Sequence, residues 1–239
     1  MERCLTKILI ATITAEYKDY CFDNWADNIN KFTYPDKKVL IVDNSRNPLY
    51  HKKIKDKLPD AEVIYHPVQE GQSIRECMCE CNNITRDYFL KGGYAYMLSL
   101  ESDIFPRKDC IEQLLSHRKA VVGLCYFIWE GCHSKYLNFY IGGYGTDLIA
   151  KPMHLDEAFY YMDGSLKEGF NFGFGCLLIH RSVLEKVKFR INLESSKHID
   201  SFFHEDLKEL GLQAYIDTSY IAEHRNYTSW ADIYKKERK

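Results

Sequence analysis

The sequence predicts an α/β protein: a mostly parallel central sheet with helices on both faces. Three observations carry that prediction. Short apolar runs rich in β-branched residues alternate with segments of helical periodicity. The runs are bounded by Gly, Pro and Asp, the residues that turn a chain. With 239 residues, 46% of them hydrophobic, the chain is long enough to bury one sizeable core.

Each element follows in order. Lys7 to Ile13 reads as a first buried strand, and Tyr17, Tyr20, Trp25 and Ile29 then recur at helical spacing. Val39 to Val42 is a second strand and Glu62 to Val68 a third, bounded by Pro59-Asp60 and by Gln69-Glu70-Gly71. Ser73 and Glu76 match a capping box, opening a helix whose apolar face runs Ile74, Cys77, Met78, Cys81, Ile84 and whose stop is Gly92-Gly93. Tyr94 to Leu100 is the fourth strand. After Pro106 comes a helix with Ile111, Leu114 and Leu115, then a strand from Ala120 to Phe127. Trp129 to Gly169 loses periodicity, as a loop-rich insertion over a site would. Phe174 to His180 restores a strand, Ser182 and Glu185 match a second capping box, and a last helix spans about Ser201 to Leu210 with Gly211 as its stop. Tyr215 to His224 reads as a closing strand pair.

Composition limits the function. The chain carries 34 acidic and 32 basic side chains, a net charge of −2, which excludes coating of nucleic acid or an anionic membrane through bulk charge. The early apolar run Ile8 to Ile13 is too short to span a bilayer and no small-residue cleavage pattern follows it, so a cytoplasmic location is expected. Nine cysteines without C-x2-C pairs read as reduced thiols. Within Cys77, Cys79 and Cys81, only Cys77 and Cys81 are helical neighbours. The expectation for the cluster is plain thiols rather than a metal or redox site.

The sharpest chemical signal is Glu101-x-Asp103 directly after a buried strand. Alternate residues of an extended chain point the same way, so both carboxylates can reach one hard divalent cation, which leaves room for water and phosphate oxygens. Arg75, in the first turn of the capped helix, offers a guanidinium suited to phosphate. Asp217 and His224 flank the last strand, and a neutral imidazole at His224 can complete a metal site.

Taken together these pieces resemble the GT-A class of nucleotide-sugar glycosyltransferases, family 2-like enzymes and their small microbial and phage relatives in particular. The resemblance runs from about Lys7 to His224. It rests on the opening Ile-Leu-Ile-Ala-Thr-Ile-Thr, Val-Asp-Asn-Ser at 42–45, Arg75, Leu-Glu-Ser-Asp at 100–103, Gly-Phe-Gly-Cys-Leu-Leu-Ile-His-Arg at 173–181, and the Asp200 to Gly211 helix before His224. It implies one GT-A, Rossmann-like domain over 1–239, with a nucleotide-sugar half at 7–127, an acceptor half at 128–228 and a tail at 229–239. By the same resemblance Thr12, Thr14, Asp43 and Asn44 line the nucleoside pocket, Arg75 lies near the diphosphate, and Glu101 and Ser102 belong to the donor site. Asp103 and His224 hold Mn²⁺ or Mg²⁺. Glutamate in the first position departs from the family's D-x-D, which makes Asp103 the safer ligand.

The family's acid pair stands about eleven residues before a glycine, and that register gives Ile199-Asp200 before Gly211. Asp200 is then the candidate base for the acceptor hydroxyl, with N-capping as its ordinary role and Glu205-Asp206 as the alternative acid pair. The resemblance therefore implies transfer from a nucleoside-diphosphate sugar, a UDP-sugar in the first place, to a hydroxyl of a glycan or of modified DNA. The basic tail Tyr234 to Lys239 is the local support for DNA. Trp129, Tyr136, Tyr140, Tyr144, Phe172 and Phe174 offer stacking faces for an acceptor. Two other readings stand beside it: a nucleotidyltransferase, which needs a glycine-rich loop where Thr12 to Glu16 stand, and a non-catalytic nucleotide-sugar or glycan-binding module.

Overall fold

The computed structural model describes residues 6–130, 134–137, 140–141 and 160–225, with side chains up to 128 and from 160 onward. Trp129, Tyr136, Tyr140, Tyr144 and the basic tail lie outside the described side chains.

Among the described residues the strands are β1 (Ile8–Thr14), β2 (Lys37–Asp43), β3 (Glu62–Tyr65), β4 (Tyr96–Leu100), β5 (Ile104–Phe105), β6 (Val121–Glu130), β7 (Ser134–Leu137), β8 (Tyr140–Ile141), β9 (Leu166–Phe170), β10 (Cys176–His180) and β11 (Ala214–His224). They join in one sheet of order β3-β2-β1-β4-β10-β6-β11-β9-β8, with β5 on β11 and β7 on β6. β3, β2, β1 and β4 pair in parallel, as do β6 and β11. β10 runs antiparallel between β4 and β6, and β9 antiparallel to β11. Along the main path only β10 and β9 oppose the common direction. The α/β architecture is that of a GT-A, Rossmann-like fold.

The helices are α1 (Asp19–Asn30), α2 (Pro48–Lys57), α3 (Ile74–Lys91), α4 (Cys110–Ser116), α5 (Arg181–Leu184) and α6 (Ile199–Glu209). Alternation along β1 sorts them into layers: Ile8 and Ile10 pack with Phe22, Trp25, Ile54 and Ile111, whereas Leu9 and Ala11 pack with Phe89, Leu184, Phe203 and Leu207. Helices α1, α2 and α4 therefore cover one face, and α3, α5 and α6 the other. Each large side chain so buried contributes about 1.5–3 kcal/mol. No helix among the described residues is long and apolar enough to cross a membrane.

Local chemistry sets the boundaries. Ser73 and Glu76 exchange both bonds of the capping box, and α3 stops at Gly92 as expected. The second capping box does not form. The cap of α5 is His180, whose ring accepts from the Ser182 amide at 3.2 Å, while Glu185 turns to Arg181 at 3.0 Å. Asp200 is likewise not the cap of α6; His198 holds that position and Asp200 lies inside the first turn. Tyr20 is exposed, because Cys21, Phe22, Trp25, Ala26 and Ile29 form the buried stripe of α1. Finally, the expected closing strand pair is one strand, β11, whose register against β6 shifts between Asp217 and Ile221.

Candidate functional site

The site forms where β4 and β11 end at the same edge. Thr12 on β1 donates its hydroxyl to the Leu100 carbonyl at 2.8 Å, and Thr14 meets the Ser102 hydroxyl at 2.9 Å, both buried. These bonds fasten β1 to the turn after β4. The Cys21 thiol donates to the Ser102 carbonyl at 3.3 Å. Thr12, Thr14 and Ser102 thus brace the strand end through their buried side chains.

Immediately beyond, the two-residue strand β5 pairs with the end of β11, setting Ile104 opposite His224. The Arg225 amide donates to the Asp103 carbonyl at 2.9 Å. This short pairing brings together carboxylate and imidazole from distant parts of the chain: His224 Nε2 lies 3.3 Å from Asp103 Oδ2. The other ring nitrogen, Nδ1, donates to the Phe127 carbonyl at 2.6 Å. In the neutral ring that bond leaves Nε2 with its lone pair toward Asp103. Glu101, Asp103 and His224 each place a ligand atom within 4.8 Å of the others.

Asp103 is fully buried. Its Oδ2 also accepts from the Lys18 ammonium, supplied by the short 3-10 turn Glu16–Lys18 after β1. Its Oδ1 is buried and has no hydrogen-bond partner. An orphaned carboxylate oxygen beside a second carboxylate and an imidazole lone pair is a donor set of mixed O and N that fits Mn²⁺ or Mg²⁺. Burial alone would raise the Asp103 carboxyl, but Lys18 and His224 hold it below the usual carboxylate range. Glu101 is pushed up to about 6, first by burial and then by the charge of Asp103. Burial opposes charging of His224, yet the hydrogen bond to Asp103 lifts it above the ordinary histidine value.

Two glycines make room for the site's wall. The Tyr126 hydroxyl accepts from the Gly175 amide at 3.0 Å, and a Cβ at Gly173 or Gly175 would fall 2.3 Å or 2.5 Å from Tyr126 atoms. The Gly175 carbonyl in turn accepts from the Glu101 amide at 3.0 Å. Tyr126 then meets the His224 ring edge-on, with centroids 5.5 Å apart.

The remaining sequence-derived residues divide. Asp200 is half-buried; burial raises its carboxyl, and its charge reaches both Glu101 and the Tyr126 hydroxyl. Glu205 and Asp206 are engaged elsewhere, Asp206 by Arg190 at 2.7 Å and Glu205 by Lys197. Arg75 is held by backbone. Its guanidinium donates to the carbonyls of Ser195 at 2.8 Å, Asn192 at 3.2 Å and Lys197, and so fastens the segment leading into α6. Asp43 is fully buried, with Oδ1 accepting from the Ser45 amide at 3.0 Å and Oδ2 making no hydrogen bond, 3.8 Å from His51 Nδ1. Asn44 lines a cavity of about 210 Å³ with Glu16, Tyr17, Arg46 and Ile74. Phe172 and Phe174 pack in the core against His204 and Phe203.

Lys18, Tyr126 and β5 escaped the sequence reading. A lysine one turn after a strand looks like solvated surface, and two residues carry no periodicity. The one available signal for Lys18 was its place beside the carboxyl end of β1, where an α/β sheet gathers its ligands.

The geometry belongs to the GT-A class of fold. Solved structures support this: TarS residues 1–349 from S. aureus aligns with TM-score 0.58 and 14% identity, covering 98% of this chain and 64% of that one. The mannosyltransferase PcManGT from Pyrobaculum calidifontis, in complex with GDP-Man and Mn²⁺, gives TM-score 0.60 and 11% identity over 98% and 61%. TarS 1–349 in complex with UDP-GlcNAc gives 0.56 and 13% over 98% and 65%. The chain thus spans less than two thirds of these neighbours. No family model matches the sequence, and no curated protein does.

Proposed function

We propose that the protein is a metal-dependent glycosyltransferase that moves a sugar from a nucleoside diphosphate, a uridine nucleotide in the first place, to an acceptor hydroxyl. The observation that carries this reading is the convergence of Glu101, Asp103 and His224 at one strand edge with Asp103 Oδ1 left unpartnered. The fold shared with TarS and PcManGT supports it, since structures of those proteins hold UDP-GlcNAc, and GDP-Man with Mn²⁺.

Asp103 and His224 would hold the ion, with Glu101 beside them. The ion, when bound, supplies positive charge to the diphosphate as the sugar–phosphate bond breaks. Lys18 adds a fixed ammonium on the same carboxylate, so the edge carries positive charge where the leaving group becomes negative. Asp200 takes the acceptor hydroxyl's proton. Burial raises its carboxyl, which makes it a stronger base than an exposed aspartate. A base on the far side of the sugar from the leaving group gives inversion at the anomeric carbon. Asp43 and Asn44 would meet the nucleoside through buried oxygens that make no hydrogen bond, Asp43 Oδ2 and Asn44 Oδ1.

The direct test follows release of nucleoside diphosphate from a panel of nucleotide sugars with Mn²⁺ or Mg²⁺. Wild type should turn over one donor, and Asp103→Ala should not. Equal rates in the two proteins would end this reading, and retention of configuration in the product would remove Asp200 from the base's role.

A further inference from the structure

A second cluster lies outside the site just described. Cys77 and Cys81 are one turn apart on α3, both fully buried, with their sulfurs 3.9 Å from one another. His66, in the connection after β3, brings a ring nitrogen into the same group, so that all three ligand atoms lie within 4.8 Å of each other. Two thiolates bound at about 2.3 Å to a tetrahedral ion sit about 3.8 Å apart, so the sulfurs already have the required separation. The i, i+4 spacing on a helix holds them there.

The surroundings match a metal site. His66 Nε2 meets Glu80 Oε2 at 2.8 Å, and Gln72 Nε2 donates to the same oxygen at 2.8 Å. With the carboxylate on Nε2, the ring's proton is fixed there and Nδ1 keeps its lone pair. This carboxylate–histidine pairing is the usual outer support of a metal-bound imidazole. Two thiolates and a neutral imidazole balance a divalent charge.

We propose that Cys77, Cys81 and His66 bind a thiophilic divalent cation, Zn²⁺ above all, with Glu80 orienting the histidine. The donor set is soft where that of Glu101, Asp103 and His224 is hard, so the two sites should sort ions by chemistry. The Cys77 sulfur also lies 4.0 Å from the Asn44 amide, which places the ion against the wall of the candidate nucleoside pocket.

The test uses the full chain, stripped of metal and kept in a non-thiol reductant, titrated with Co²⁺ and followed by absorption. A thiolate-to-cobalt charge-transfer band should saturate at one equivalent, and excess Zn²⁺ should abolish it. The band should persist in Asp103→Asn and Cys79→Ser and vanish in Cys77→Ser and Cys81→Ser. Glu80→Gln should weaken Co²⁺ binding about 10-fold. Absence of the band in wild type, or its persistence in both serine variants, overturns the proposal. Should a serine variant fail to fold, Glu80→Gln decides, because that side chain is half exposed and outside the core; unchanged affinity there would remove His66 from the ligand set and with it the site.

Discussion

Two buried aspartates, each beside a histidine, differ in how their carboxylates are satisfied. Asp217 lies on β11 itself, and every side-chain oxygen it has is used: Oδ1 accepts from the Ser219 amide at 2.8 Å, while Oδ2 accepts from Gln113 at 2.7 Å and meets His117 at 2.7 Å. Asp103 meets His224 and Lys18 through Oδ2 and leaves Oδ1 bare in a fully buried position. A buried Asp–His pair is therefore no mark of a site on its own. What separates them is satisfaction: one carboxylate is closed by protein donors and holds β11 at its register shift, while the other keeps an open acceptor beside Glu101.

The largest expected effect tests that contrast directly. Asp103→Asn should lower sugar transfer by about 1,000-fold, on the scale of removing one charge-stabilising group from a water-poor site, and should also cost stability, because it leaves the buried Lys18 ammonium without its carboxylate. Asp217→Asn should leave transfer within about 3-fold. It should instead lower stability by about 1–3 kcal/mol, because a neutral amide cannot accept all three bonds and turns a donor toward them. Urea unfolding and initial rates on the two variants check both halves. If Asp217→Asn costs as much activity as Asp103→Asn, the distinction between an open and a closed carboxylate fails.

Lys18 supplies the next effect. In the absence of added metal its ammonium lies on Asp103, and Lys18→Met leaves that buried carboxylate opposed by His224. Breaking a buried pair in this way costs about 3–5 kcal/mol. For a chain of this length that corresponds to a drop of about 6–20 °C in Tm. Mn²⁺ should restore much of that loss in the variant and raise the wild-type Tm by less, since only the variant lacks its own cation. Equal Mn²⁺ shifts in the two proteins would mean that ion and ammonium do not share Asp103.

The same contrast explains what the sequence disclosed. Glu101-Ser102-Asp103 and His224 were legible because a strand end after alternating β and α segments is where a parallel sheet presents its ligands. Their meeting was not, because it depends on β5, whose two residues set Ile104 opposite His224 and leave no period to read. Lys18 was hidden for the opposite reason: its burial follows from a tertiary pairing across 85 positions, and helical or strand pattern is blind to that. Arg75 shows the limit of residue type as a guide. Its guanidinium suits phosphate, yet three backbone carbonyls before α6 engage its two terminal nitrogens and Nε stays buried without a hydrogen bond. In the elements, capping chemistry was read correctly where side chain and backbone are adjacent, at Ser73 and Glu76. It was misread at Ser182, because His180 competes for the same amide.

The smallest effect concerns pH and sharpens the structural half of the comparison. Burial acts to raise the Asp217 carboxyl, but the bonds from His117, Ser219 and Gln113 outweigh it and hold the group below its usual range. A carboxyl depressed in the folded state leaves the unfolded chain binding more protons in the interval between the two values. Its stabilisation is thus complete above the ordinary aspartate value and is lost as pH falls through the folded one, with a slope of at most about 1.4 kcal/mol per pH unit. The difference in unfolding free energy between wild type and Asp217→Asn should therefore be flat from pH 7 to about pH 4. It should shrink only under more acid conditions, where both forms of the side chain become neutral. Chemical unfolding of the two proteins at stepped pH reads this difference directly. A difference that instead changes between pH 7 and pH 5 would overturn the assignment of this pH dependence to the Asp217 carboxyl.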